Sequence, residues 1–437
     1  MEWPLVLALF LSLLLVLIFA GFPVALAFLA VGLGGATLLL GLDTGGTQLL
    51  NNVIPTVTTF ALIPVPLFIL MGELLYHSGL AGRILDAIGK WLGPLPGRLS
   101  VLSMVGGATF GILSGSAIAN TSLLGALLVP EMRKRGYSKS MSAGPILGAG
   151  PLAMVLPPSA LAVLVGTIGG IPIGPLLIAG LVPGALLFFG NTAYIVVRCW
   201  RNPELAPRYD VVAEPLSRRL FLLLRDVLPM TSVFFVVIGS IVAGWATPSE
   251  AAALGALAAF ALIAAYGRLT REVVLPAMKG TISVSGMILL IMGMAGGFSN
   301  MLAYSGATRG LVTFVSQLDV PPLLLVIGIV GVIIILGAPL EQVALLLITL
   351  PLFAPVVFEL GYEPVWFGLV VLITMDVAGL TPPLGLNLFV LKGVAPPDFS
   401  MGDIIKSGLP YLTIDVLVIV ILFVFPALAL LMPRLLL

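Results

Sequence analysis

The sequence predicts an all-α polytopic membrane protein: about ten spanning helices plus two re-entrant hairpins, arranged as two inverted repeats. Three observations lead there. Of 437 residues, 60% are hydrophobic and only 9% charged, where a soluble chain carries about 25% charged residues. The mean hydropathy is +1.21, and apolar runs of about 20 residues, long enough to span a bilayer as helix, recur from end to end. Finally, one constant, ungapped shift along the chain lays Pro130 on Pro355, Gly136 on Gly361 and Tyr137 on Tyr362. The same shift lays Pro157 and Pro158 on Pro382 and Pro383, and Pro172 on Pro397. The chain repeats itself.

The first run, LVLALFLSLLLVLIFA (Leu5–Ala20), has no basic residue before it and no small-residue cleavage signal after it. It reads as a first span and not a secretion signal. Crossings are expected near 4–20, 24–42, 55–76, 141–165, 174–197, 227–244, 250–267, 281–302, 365–391 and 408–430. Two further runs, about 99–130 and 320–358, are interrupted midway by polar or turn-forming residues and read as hairpins that enter and leave on one side. Residues 1–198 then form a first repeat, 199–226 a cytoplasmic connector and 227–437 a second repeat. Each repeat holds five crossings and one hairpin, and because five is odd the second is inverted.

Charge sets the orientation. The segments 77–98, 131–140, 198–226, 268–279 and 392–407, with Lys406 at the edge of the last, hold 18 of the 20 basic residues; only Arg309 and Arg434 fall elsewhere. The positive-inside rule puts those five loops in the cytoplasm and both termini outside. Trp91, Trp200, Trp245 and Trp366 fall at or near proposed span ends, where indole rings favour the interface.

Composition also excludes. A net charge of +1 with no basic patch offers nothing to nucleic acid. One cysteine, Cys199, permits no internal disulfide, and one histidine, His77, leaves no His/Cys zinc set. No GxxxxGK[ST] loop is present to bind nucleotide.

What remains to explain is the pair of breaks. LPPS (Leu156–Ser159) and TPPLGLN (Thr381–Asn387) fall in repeat-related spans. A proline inside a helix costs about 3 kcal/mol and frees a carbonyl that lipid cannot satisfy. Such backbone survives only where protein or a wet cavity surrounds it, and paired broken helices are the best pointer to a transporter's binding site. Freed carbonyls can ligate a small cation; half-helix N-termini can hold an anion. On this reading Pro157, Pro158, Ser159, Gly379, Thr381, Pro382, Pro383, Gly385 and Asn387 belong to the site.

The hairpins add oxygens. The first turns at GILSGSAIANTS, where Ser114, Ser116 and Asn120 offer hydroxyl and amide oxygens and Gly115 lets backbone approach closely. Hard cations favour such ligands. The second turns at LGAPLEQ, with Gly337 and Glu341 at its tip. Ionisable residues at membrane depth default to function. Asp376, five residues before Thr381, is a site candidate, or else a structural carboxylate bonded to the unwound backbone. Glu73, Glu250 and Asp415 sit nearer span ends and read as structural, and His77 as a solvated boundary residue.

Taken together, GSAIANTSLLGALLVPEMRKRGY, PLAMVLPPSALAVL, GWATPSEAAALGAL and GLTPPLGLNLFV resemble the large membrane subunit of TRAP (tripartite ATP-independent periplasmic) transporters. The likeness covers nearly the whole chain, and TPPxGxN is its most specific element. It implies a bacterial inner-membrane symporter, not an enzyme, that takes up small organic acids driven by sodium through an elevator motion. It implies two partners, a periplasmic substrate-binding protein and a small four-helix membrane subunit. No four-helix segment precedes residue 1, so that subunit is expected as a separate chain. No cofactor is implied beyond Na+ as coupling ion, assigned to Ser114, Ser116, Thr381 and Asn387. Many members carry aspartate where this chain has Asn120.

Other readings fare worse. A stand-alone sodium–carboxylate symporter of similar hairpin architecture is separated only by the family motifs. An intramembrane serine hydrolase needs a base beside Ser114 or Ser116, and the sole imidazole, His77, sits at the cytoplasmic edge. A channel filter normally recurs by subunit symmetry.

Overall fold

The computed structural model describes residues 2–93, 95–207, 215–382 and 384–437, and only the backbone of Leu42, Leu49, Leu113 and Ser114. Pro383 and Arg208 lie outside the described residues, as does the side chain of Ser114. The described residues are helical, with no strand among them. The first half runs α1 (Trp3–Phe19), α2 (Val24–Leu40), α3 (Leu42–Val57), α4 (Pro64–His77), α5 (Leu80–Leu92), α6 (Arg98–Ser114), α7 (Ala117–Lys134), α8 (Lys139–Ala149), α9 (Leu152–Val155), α10 (Ala160–Gly169), α11 (Ile173–Ala179) and α12 (Leu181–Arg201). The second runs α13 (Leu216–Leu222), α14 (Leu228–Val242), α15 (Pro248–Ala265), α16 (Arg271–Tyr304), α17 (Ala307–Ser316), α18 (Pro322–Gly337), α19 (Gln342–Glu359), α20 (Pro364–Leu380), α21 (Leu386–Val394), α22 (Met401–Val424) and α23 (Ala427–Leu436).

Among the described residues seven helices are long and apolar enough to cross a membrane, eight if the bent pair Lys139–Val155 and Ala160–Gly169 counts as one. α1, α2 and α20 are apolar but only 17 residues long. The stretch 77–98, expected as a loop, contains α5. Its Leu80, Ala81, Ile84, Leu85 and Ile88 form a buried stripe at helical spacing, while Arg83, Asp86 and Lys90 interrupt the apolar run that marks a span. Trp366, near the start of α20, is packed inside the protein: it is 1% exposed, donates Nε1–H to the Leu422 carbonyl at 2.8 Å and stacks on Tyr362. Trp91, Trp200 and Trp245 are exposed.

Local signals explain the hairpin boundaries. α7 and α19 are both 18 residues long, and their first residues, Ala117 and Gln342, coincide under the shift that relates the two halves. Each ends on a left-handed glycine, Gly136 at φ +80° and Gly361 at φ +83°, a conformation that costs a Cβ-bearing residue about 1–2 kcal/mol. The following amides, Tyr137 and Tyr362, reach back to the carbonyls of Met132 at 3.0 Å and Val357 at 3.2 Å, closing a Schellman motif in each. The next helix is then capped at once. Ser138 accepts from the Met141 amide and Glu363 from the Val365 amide.

The broken helices occupy the centre. Every residue of α20 from Val365 to Leu380 is buried, as is every residue of α8 from Met141 to Ala149. A helix buried on all sides presents no polar face to lipid; the break at Pro157–Ser159 is likewise buried, whereas Thr381 and Pro382 at the second are half-buried and Leu384 is exposed. α6 pairs with α7 and α18 with α19; α7 packs on α21, and α19 on α10. Each hairpin thus leans on the broken helix of the other half. Predicted cytoplasmic segments also touch: Arg83 meets buried Asp226 at 2.8 Å, and Lys139 meets Asp403 at 2.8 Å.

Candidate functional site

At the first break, α9 ends at Val155 and α10 begins at Ala160, the two limbs meeting at 50°, with a cis bond between Pro157 and Pro158. Ser159 is fully buried and caps α10 by accepting the Ala162 amide at 3.2 Å. The first hairpin turn sits directly on this break. Gly115, in the left-handed region at φ +59°, has room for a Cβ only at contact distance from the Ala160 amide (3.4 Å) and the Pro158 carbonyl (3.6 Å). Ser116 caps α7 by accepting from the Ala119 amide at 3.3 Å.

Asn120 has a defined task one turn further on. Its Nδ2 donates to the carbonyls of Gly107 and Ala149, both at 3.0 Å. Ala149 ends α8, and the Ala153 amide that would have met its carbonyl goes to Gly150 instead. Asn120 therefore satisfies backbone freed by the kink. Its Oδ1 is left buried without a partner, like the neighbouring Thr121 hydroxyl.

The second break spans residues 381–385, between Leu380 and Leu386. Thr381 donates its hydroxyl to the Val377 carbonyl at 2.6 Å and keeps its oxygen lone pairs. A Cβ on Gly385 would stand 2.6 Å from the Gly379 carbonyl oxygen and 3.0 Å from that of Thr381. Only glycine fits against these two oxygens, of which that of Thr381 also accepts the Gly385 amide at 3.0 Å. Asn387 is 1% exposed with neither amide atom hydrogen-bonded, and it lies against Gly379, 3.2 Å from where a Cβ would be. An unpartnered buried amide is costly, and together these are neutral oxygens suited to a monovalent hard cation.

Asp376 is not bonded to unwound backbone. It lies four residues before the end of the unbroken α20, fully buried beside Asp415 of α22, and the two carboxyl groups find no described partner other than each other. Asp415 is accordingly no span-end residue. Glu250 does serve structure, closing a capping box with Thr247. Gly337 serves packing, since a Cβ there would come within 2.7 Å of Leu345 and Ala378.

Both hairpin turns and the first break face one cavity of about 470 Å³. Gly115 and Ser116 line it from hairpin one, Ala160 and Leu161 from α10, and Glu341, Gln342 and Val343 from hairpin two. Glu341 caps α19, accepting the amides of Val343 at 2.9 Å and Ala344 at 3.2 Å through one oxygen. The opposite wall is α4 and α16, with Glu73, Tyr76, Met287 and Ile288. Thr381, Asn387 and Asp376 do not line it. Sequence reasoning took Glu73 as structural, whereas it lines the cavity and contacts His77 at 3.3 Å; Ser122 lines the cavity as well. The signal was Glu73 and His77 one turn apart inside an apolar run.

A family model, "Tripartite ATP-independent periplasmic transporter, DctM component", matches residues 11–428. The chain is 31% identical to the C4-dicarboxylate TRAP transporter large permease protein DctM of Pseudomonas aeruginosa, covering 93% of this chain and 94% of that one. It is 29% identical to the sialic acid TRAP transporter large permease protein SiaM of Vibrio cholerae, covering 96% of each. In fold it is similar to the solved structure of Neisseria gonorrhoeae MtrF, with a TM-score of 0.59 at 17% identity over 88% of this chain and 84% of that one.

Proposed function

The chain belongs to the DctM component family of tripartite ATP-independent periplasmic transporters, and from that premise we propose that it is a sodium-coupled symporter subunit. It imports a small organic acid handed over by a periplasmic binding protein, working with a small four-helix membrane subunit in the bacterial inner membrane. The observation that carries this reading is the cavity closed by both hairpin turns and the first break against α4 and α16. Its volume suits a small solute.

Sodium is a transported substrate in this reading, and no resident cofactor is invoked. Ser114, Ser116 and carbonyls near Pro157 hold one ion; Thr381, Asn387 and carbonyls near Gly379 hold another. The Gly379 carbonyl beside Gly385 and the unpartnered Asn387 support the second site. The two halves are inverted repeats, and hairpins and broken helices move together as an elevator against a scaffold that includes α4 and α16. Both termini face the periplasm. Contacts between segments 77–98 and 198–226, and between 131–140 and 392–407, support a shared cytoplasmic side for these four.

The test is uptake into proteoliposomes holding both membrane subunits, with loaded binding protein outside. Uptake is expected to rise sigmoidally with sodium and to stop when choline replaces it. Ser116→Ala and Thr381→Val are expected to raise the half-saturating sodium concentration and, through linkage, to weaken substrate binding by the same coupling energy, about 1–3 kcal/mol. Equal uptake in choline would overturn the sodium assignment. Concentrative uptake by this chain alone would favour the stand-alone symporter.

A further inference from the structure

We propose that Asp376 and Asp415 form a proton-binding site: between them they take up at least one proton from solution and keep it at neutral pH. Neither the sodium sites nor the substrate enters this inference. Both side chains are 0% exposed, one on α20 and one on α22. The two carboxyls are close enough to hydrogen-bond each other and meet no other described partner. Two carboxylate anions cannot make that contact. Each offers only acceptor oxygens, so a hydrogen bond between them requires a proton on one. Like charges so close together and out of water also repel too strongly for both to ionise.

The surroundings supply no other counter-charge. α20 packs on α9, α10, α11, α18, α19, α21 and α23 as well as on α22, and α22 packs also on α8 and α12. α9, α10, α11 and α18 contain no titratable residue. Tyr411, one turn before Asp415, and Tyr194, whose ring lies 5.5 Å from that of Tyr411, are phenols. The other titratable groups of these helices stand towards helix ends: Lys139, Arg198, Cys199, Arg201, Glu359, Lys392, Asp403, Lys406 and Arg434. Along α22, Lys406 precedes Asp415 by about 13 Å of helix.

A second, independent observation points to hydrogen. Asn191 of α12 is 0% exposed; its Nδ2 donates to the Gly148 carbonyl at 3.3 Å, while its Oδ1 has no hydrogen-bond partner. Asn191 faces the side of α22 that carries Asp415. Beside it, a Cβ on Gly190 would stand 3.1 Å from Ile414, and one turn on the Tyr194 ring meets that of Tyr411, which also presses on Gly148. A buried acceptor left without a donor is costly, and a protonated Asp415 supplies the missing O–H. The resulting chain runs from Asp376 to Asp415 to Asn191 to the Gly148 carbonyl. It joins α20, just before the second break, to α8, just before its kink. Protonation of the pair thus ties the two broken helices together through α22 and α12.

The experiment compares the purified full chain with the double variant Asp376→Asn/Asp415→Asn, which keeps the shape and an N–H donor but cannot ionise. In infrared spectra at neutral pH, wild type minus variant is expected to show the carbonyl stretch of a neutral carboxylic acid. A difference holding only the bands of ionised carboxylate would overturn the proposal. Melting temperature is the second readout. A folded chain that holds protons released on unfolding loses stability as pH rises, about tenfold in the folding constant per pH unit for each proton. Wild type is therefore expected to melt at falling temperature from mildly acidic to mildly alkaline pH, with a steeper slope than the double variant. His77 is common to both proteins and cancels in the comparison. Equal slopes overturn the proposal. Asp376→Asn alone is read in the same two ways should the double variant not fold, because it too removes a proton from the pair.

Discussion

The first broken helix, α8–α9–α10, and the second, α20–α21, stop at Pro-Pro pairs that the repeat superimposes, but only the first is interrupted twice. Gly150 and Pro151 divide α8 from α9, whereas α20 runs unbroken from Pro364 to Leu380 and carries Asp376 at the position matching Pro151. The hairpin tips differ in the same way. Ser116 and Glu341 are matching N-caps, one neutral and one acidic. The repeat therefore keeps where the backbone stops and starts while the side chains diverge. At matching positions of the breaks and tips, Pro151 and Ser116 in the first half stand where the second half has the carboxyls of Asp376 and Glu341. A site built this way is asymmetric in charge although its skeleton is not.

The sharpest way to break this comparison is at the two glycines that let backbone close on backbone. Gly385→Ala is expected to abolish sodium-driven uptake, because its Cβ meets the carbonyls of Gly379 and Thr381, which are backbone and cannot swing aside. Gly115→Ala meets only contact-distance atoms and carries the left-handed penalty of about 1–2 kcal/mol, so its uptake is expected to fall roughly tenfold. Uptake rates at matched membrane abundance check both; equal losses would show that the two breaks are equally crowded.

Packing gives the next effect. Gly144 and Gly148 face Tyr411 of α22, and a Cβ on Gly144 would come within 2.6 Å of its ring and 2.7 Å of the Ser407 carbonyl. The matching positions in α20 are Leu369 and Ile373, which keep their side chains. Gly144→Ala is expected to destabilise by about 1–3 kcal/mol, read as a lower melting temperature in detergent, while Leu369→Ile leaves it within about 1.5 kcal/mol of wild type. An unchanged melting temperature for Gly144→Ala would mean that α22 moves freely over α8.

The smallest effect concerns the caps. Ser138→Ala and Glu363→Ala remove equivalent side chains from equivalent helix starts and are each expected to cost about 1 kcal/mol. Thermal unfolding of the two variants sharpens the comparison. A large difference between them would place the two helix starts in unlike surroundings despite their common spacing.

Much of this was legible because helix punctuation is local. Gly136–Tyr137 and Gly361–Tyr362 repeat because each stops a helix by the same backbone bonds, and those depend on a few adjacent residues. The Pro-Pro pairs are legible for the same reason. Asn120 was legible as a polar group at the hairpin but not as the partner of Ala149, which lies 29 residues away. Asp415 read as a span-end residue because hydropathy carries no information on which neighbour a buried side chain meets. Trp366 was legible as a residue near a span end but not as one packed against Leu422 and Tyr362. Glu73 is the instructive miss. Its place in the chain resembles a boundary, and only the approach of Gly280 from α16 makes that boundary the wall of a cavity.

By itself the sequence determined that the chain is a multi-span membrane protein of this transporter family, and where its helices break. Bilayer length, proline geometry and left-handed glycine act over short stretches of chain, so a linear string records them. Which oxygens are left unpartnered at Asn387, which two carboxyls meet at Asp376 and Asp415, and that Glu73 and Glu341 share one cavity were decided only by tertiary structure. Each depends on helices far apart in sequence approaching at a particular depth and rotation, and packing alone fixes those.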